Sequence, residues 1–230
     1  MSPRTQRKPA RAGYLWLLCL ALCIPGWSQR RPTASPSVSF IFDFPGSAPA
    51  HYGISVASDG HASYVSDGKL TKDADSDQPY TLDFTLSQPF VDRVFELARQ
   101  ARYFEGNIDS KKKNIASTGD KTLMYKDAQK DTIATYNYSS VPAVQELTGM
   151  FQNLSTTLEF GHRLEYDYRY QKLALDQDTK AMENSAARGE LVELPAIATV
   201  LHKIADDPSV INVVRARTER FLEHPATPGK

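Results

Sequence analysis

Past residue 28 this 230-residue chain contains no cysteine and no tryptophan. Trp16, Cys19, Cys23 and Trp27 all sit in one stretch, YLWLLCLALCIPGWS, residues 14–28. Acidic residues are missing from the start as well, where Arg4, Arg7, Lys8 and Arg11 stand alone. An apolar run from Tyr14 to Ile24 follows, then Pro25 and Gly26, with small residues at Gly26 and Ser28 just before Gln29. A basic start, a short apolar middle and small residues at minus three and minus one are the parts of a secretory signal peptide, so residues 1–28 read as a cleaved leader. The uncharged span Ala12–Gln29 has 18 residues, the shortest length that can cross a bilayer, and Pro25 interrupts it. The alternative is a retained N-terminal anchor, which would be the chain's sole membrane contact. Leu18 before Cys19 and Leu22 before Cys23 argue against lipidation, which wants a small residue there. The expected location is therefore exported, periplasmic or secreted.

Each absence excludes a chemistry once the leader is gone. A thiol-free body of about 200 residues has no disulfides, no thiol catalysis, no thiolate zinc site and no redox switch, and its core alone must hold it. The chain's 27 basic and 27 acidic residues balance only with the leader attached. Without those four cations the remainder is mildly acidic, which argues against nucleic acid as a partner.

What is present begins with a polar leader, residues 29–36, QRRPTASP. Apolar residues then recur every second position: Val38, Phe40, Phe42 and Phe44, and later Tyr80, Leu82, Phe84 and Leu86. HYGISVAS and HASYV flank Asp59-Gly60, a hairpin-turn dipeptide. From Ser87, a candidate N-cap, the period becomes 3.6, with Phe90, Val91, Val94, Phe95, Ala98 and Ala101 on one stripe. A second hairpin, KTLMYKD and DTIATYNYS, turns near residues 128–130. The fold class is therefore α+β: an antiparallel sheet of about six strands covered by a helix, with a long helical C-terminal region.

That region starts at Pro142, with an apolar seam at Val144, Leu147, Phe151, Leu154 and Leu158, and Gly161 as a potential break. Residues 162–186 stay helix-prone but polar. ELVELPAIATVLHKIA and a last helix, with Asp207 as N-cap and Pro208 at its first position, read as a helical hairpin. Residues 37–140 are thus a sheet-plus-helix domain and residues 141–224 a helical extension.

The stretches SDGHASYVSDGK, ARYFEG, IDSKKKNIASTGDKTLMYKD and TYNYSSVPAVQELTGMFQNLS resemble exported bacterial, acidobacterial-type domains of unknown function over residues 37–160. The resemblance implies export and a sheet domain, and no activity.

Motifs for chemistry are sparse. Asp73, Asp75 and Asp77 match three positions of a calcium loop, but Gln78 replaces its glycine and Phe84 its bidentate glutamate. Glu159 and His162 have the i, i+3 spacing of di-iron bundles without the second pair such bundles need. The nearest approach to a nucleophile elbow, Gly53-Ile-Ser55-Val-Ala57, lies in a strand. His51, His61, His162, His202 and His224 are scattered, and the sequons at Asn137 and Asn153 carry no weight in a bacterial source. No catalytic residue, metal ligand or cofactor is assigned.

Two strings suggest contact. Lys111, Lys112 and Lys113 form the densest charge run, in a loop of 16 residues. Tyr166, Tyr168 and Tyr170 cannot share one helix face, so at least one meets solvent or a partner. The functional expectation is a non-enzymatic interaction module of the cell envelope, with another envelope protein as partner. The alternatives are a cell-envelope hydrolase assembled only in the fold, and a small-ligand or lipid-binding domain.

Overall fold

The computed structural model describes residues 35–70, 79–111 and 116–223. The leader, Asp73–Asp77, Lys112, Lys113 and His224 lie outside the described residues. Six strands follow the alternating stretches: β1 Ser37–Asp43, β2 His51–Ala57, β3 His61–Ser66, β4 Tyr80–Thr85, β5 Asp120–Lys126 and β6 Asp131–Tyr136. They form one antiparallel sheet in the order β4-β3-β2-β1-β5-β6. Strand β1 lies inside the sheet because β5 returns after α1 to pair along its free side, Phe40 opposite Leu123. Gly60, at φ +90°, supplies the left-handed residue that the tight β2–β3 turn requires.

Alternation sorts the two faces. Val38, Phe40, Phe42, Tyr52, Ile54, Val56, Tyr64, Leu123 and Tyr125 are buried on one side. Ser39, Ser55, Thr122 and Thr135 lie on the other, where Ser39 hydrogen-bonds Ser55 and Thr122 hydrogen-bonds Thr135 across neighbouring strands.

Helix α1, Gln88–Gln100, takes the covering position its stripe predicts, burying Phe90, Val91, Val94, Leu97 and Ala98. Helix α2, Pro142–Tyr170, lies beside it and contacts β2. Four further segments pack against it or each other: α3 Leu175–Ala187, the 3-10 turn Leu194–Ile197, α4 Ala198–Asp206 and α5 Asn212–Glu223. The core runs without interruption from the strands through α2 to these helices.

Helix α2 is buried on two sides. Phe151, Ser155, Glu159 and His162 recur along its sheet-facing side, where Phe151 stacks on Phe40 at 5.3 Å between ring centroids. Leu154, Thr157, Gly161 and Leu164 recur on the opposite side, where the Thr157 hydroxyl accepts the Val192 N–H at 3.1 Å.

Three local expectations change. Gly161 does not break α2; a Cβ there would stand 2.4 Å from Ile197 Cγ2, so the glycine is what lets the 3-10 turn approach. Ser87 occupies the N-cap position of α1 without capping it, because its N–H and hydroxyl both donate to Glu193. Helix α5 starts at Asn212 rather than Pro208: Asp207 bends the chain by accepting the Ser209 N–H at 2.8 Å and pairs with Lys172 at 2.6 Å.

Candidate functional site

Where α2 crosses the sheet, the aromatic side of β1–β4 meets the polar side chains of the helix. Phe42, Tyr52, Tyr64 and Tyr80, one from each of those strands, form a row with successive ring centroids 5.2, 6.0 and 6.2 Å apart. His162 of α2 completes the row, stacked on Tyr80 at 3.9 Å and 8°. Four rings from alternating positions and one imidazole from a helix are thus brought into a single layer.

Polar atoms gather along this layer. The Tyr64 hydroxyl donates to Glu159 Oε1 at 2.7 Å and lies 3.0 Å from Ser155 Oγ. Tyr52 lines the same cavity as Ser155. Glu159 Oε2 is 3.6 Å from His162 Nδ1, too far for a hydrogen bond, and that nitrogen has no partner. Burial, and after it the Glu159 charge, pushes the Tyr64 phenol well above its ordinary range, so Tyr64 serves as a donor at every physiological pH. Tyr52 and Tyr80 are pushed up as well, chiefly by burial.

The i, i+3 pair Glu159/His162 therefore faces the tyrosine row. Among the described residues, no three His, Cys, Asp or Glu side chains come together in a metal-holding group. His51 pairs instead with Asp43 across β1 and β2 at 2.5 Å, on an exposed surface. Neither histidine accepts a serine hydroxyl at the nitrogen described, so the pairing that activates a nucleophile is not formed there.

Beside the Glu159 cluster, between α2 and the β1–β2 loop, lies a cavity of about 260 Å³ lined by Phe42, Tyr52, Ser155, Glu159, Phe160 and Arg163. Arg163 rests over the Phe160 ring at 4.5 Å and approaches Asp178 Oδ2 with Nε at 3.7 Å.

The contact residues separate. Tyr166 and Tyr170 share a face, their rings 5.1 Å apart, and are 38% and 64% exposed. Leu173, in the turn that follows, is 85% exposed. Tyr168 points elsewhere and packs against the core, with Lys172 over its ring at 4.8 Å and a hydrogen bond to Asp207 that pushes its phenol up. Lys111 is exposed, and its N–H donates to Asp109.

Sequence reasoning missed Tyr52, Tyr64, Ser155, Arg163 and one buried lysine. Lys121 lies on the apolar side of β5, its ammonium donating to the Thr118, Gly119 and Asn137 carbonyls at 2.9–3.1 Å. Burial lowers its pKa while those carbonyls hold the charge. The signal for the helix residues was present: Ser155, Glu159 and Arg163 recur every fourth position. No described helix is long and apolar enough to cross a membrane. No protein-family model matches the chain, and no curated protein matches it.

Proposed function

We propose that this chain is an exported, non-enzymatic contact protein of the cell envelope, and that it meets a partner protein through the corner between α2 and α3. The observation that carries the reading is the cluster of Tyr166, Tyr170 and Leu173, three large side chains left in solvent at one turn. Exposing them gains nothing for folding, and tyrosine is enriched where proteins meet. Tyr168 is not part of this surface, because its ring is committed to Lys172 and Asp207. Export is supported by the basic, apolar and small-residue pattern of residues 4–28.

The test is a pull-down from periplasmic extract with the wild-type chain and with Tyr166→Ala/Tyr170→Ala/Leu173→Ala. The variant keeps its Tm within about 2 °C and loses the protein that the wild type retains. A variant that still captures the same protein ends the reading. The protein recovered from the envelope begins at Gln29 and shows tyrosine-only fluorescence; tryptophan emission would mean that the leader stays.

A further inference from the structure

The cavity between α2 and the β1–β2 loop holds two opposite charges that line the same space and do not meet. Glu159 and Arg163 are four residues apart on α2, a spacing that brings side chains to one helix face about 6 Å apart. Such a pair ordinarily closes on itself. Here Glu159 turns to Tyr64 and Arg163 turns to Phe160 and Asp178. Glu159 is only 6% exposed. Its carboxylate has one close donor, the Tyr64 hydroxyl, against about four lone-pair sites, with the His162 nitrogen beyond hydrogen-bond reach. The nearest approach of Arg163 to Asp178 is a long one, Nε to Oδ2 at 3.7 Å, and its charge also acts on Asp167, so neither acid closes on the guanidinium at hydrogen-bond distance.

We propose that this cavity binds a small zwitterion, a molecule of amino-acid size carrying one ammonium and one carboxylate. The ammonium sits against Glu159 and the carboxylate against Arg163, in the order in which α2 presents them. Phe42, Phe160 and Pro49 supply the apolar wall for the rest of the molecule, while Ser155 and Tyr52 line the polar side. A volume of about 260 Å³ lies below the usual range for drug-sized ligands, about 300–1,000 Å³, which restricts the occupant to about a dozen heavy atoms. Chemistry restricts it further. A neutral polyol would leave the charge of Glu159 uncompensated in a buried position, and a simple anion would meet that charge head on; a zwitterion answers both groups at once.

This site is separate from the Tyr166–Tyr170–Leu173 surface and is tested without any partner protein. Calorimetric titration and thermal melts of the full chain at neutral pH use L-alanine, L-valine and L-leucine as probes. N-acetyl-L-leucine lacks the ammonium, L-leucinamide lacks the carboxylate, and glucose is a neutral control. At least one free amino acid binds, and at about ten times its Kd raises Tm by roughly 3–5 °C. Each blocked analogue of leucine binds at least about ten-fold more weakly than leucine itself. Arg163→Gln, at the cavity's half-exposed rim, stays folded, with its own ligand-free Tm as the reference, and loses about ten-fold or more in affinity, a readout that stands even where Glu159→Gln fails to fold. No binding of any free amino acid at about 20 mM overturns the proposal, as does equal binding of the blocked analogues, tighter binding of glucose, or unchanged affinity in Arg163→Gln.

Discussion

The Tyr64 hydroxyl, on β3, donates to Glu159 Oε1, on α2, at 2.7 Å across 95 residues of chain, with both groups buried. This bond joins the sheet to the helix where α2 turns Glu159 toward the strands. Hydrogen bonds to charged groups contribute about 1.5–3 kcal/mol, and a buried acceptor left without its donor costs at least that much. Tyr64→Phe should therefore lower the unfolding free energy by about 2–3 kcal/mol in urea titrations. Tyr64→Phe/Glu159→Leu should be less destabilised than the sum of its two single variants, because the second change removes the stranded carboxylate. Strict additivity would show that the two groups do not depend on each other.

Gly161 and Ile197 touch more closely than any side chain at residue 161 permits, at 2.4 Å to an added Cβ. Gly161→Ala improves intrinsic helix propensity by about 1 kcal/mol, but overpacking costs about 1–3 kcal/mol. The contact sits between two buried segments that cannot part freely, so the net effect should be a loss of about 1–2 kcal/mol. Gly161→Ala/Ile197→Ala should recover part of it in a double-mutant cycle, and a stabilised Gly161→Ala would remove the argument.

Asp167, near the end of α2, is pushed up to about 6, first by burial and then by its hydrogen bond to Asp178, against a smaller lowering by Arg163. An acid whose folded pKa lies above its unfolded value of 3.8 binds its proton more tightly in the native state. Its contribution is therefore most favourable below about pH 4, declines as pH rises from about 4 to about 6, and stays low above that. Asp167→Asn should raise stability at pH 7 by about 1–2 kcal/mol and flatten the decline between pH 4 and 6 in denaturant titrations. The same slope in the variant would place the titration elsewhere.

Tyr168 and its two neighbours should part company under alanine substitution. Tyr168→Ala removes packing against the core and the contacts with Lys172 and Asp207, and should lower stability measurably. Tyr170→Ala, at a largely exposed position, should stay within about 0.5 kcal/mol of wild type. Equal losses at both sites, measured by thermal or urea unfolding, would mean that the α2–α3 corner is covered.

The strands and α1 were legible because burial on one side writes a period of two or of 3.6 directly into the chain. Val38–Phe42 and Phe90–Ala98 carry those periods clearly. Helix α2 was harder to read: it is covered on opposite sides, so its apolar seam is interrupted by Ser155, Glu159 and His162, which face the sheet just as Phe151 does. Local residues also misled where a distant group claimed them. Ser87 has the right type and place for a cap, yet Glu193, 106 residues away, takes its hydroxyl.

By itself the sequence determined the α+β class, the hairpin at Asp59-Gly60 and the division of Tyr166 and Tyr170 from Tyr168. These are consequences of neighbours along the chain, whose geometry follows from 2.0- and 3.6-residue periods. Tertiary structure alone decided that Tyr64 meets Glu159, that Glu159 and Arg163 share a cavity without pairing, and that Gly161 is a point of contact. Those relations join segments with no shared periodicity, and only the packing of helix on sheet sets which side chains finish within reach.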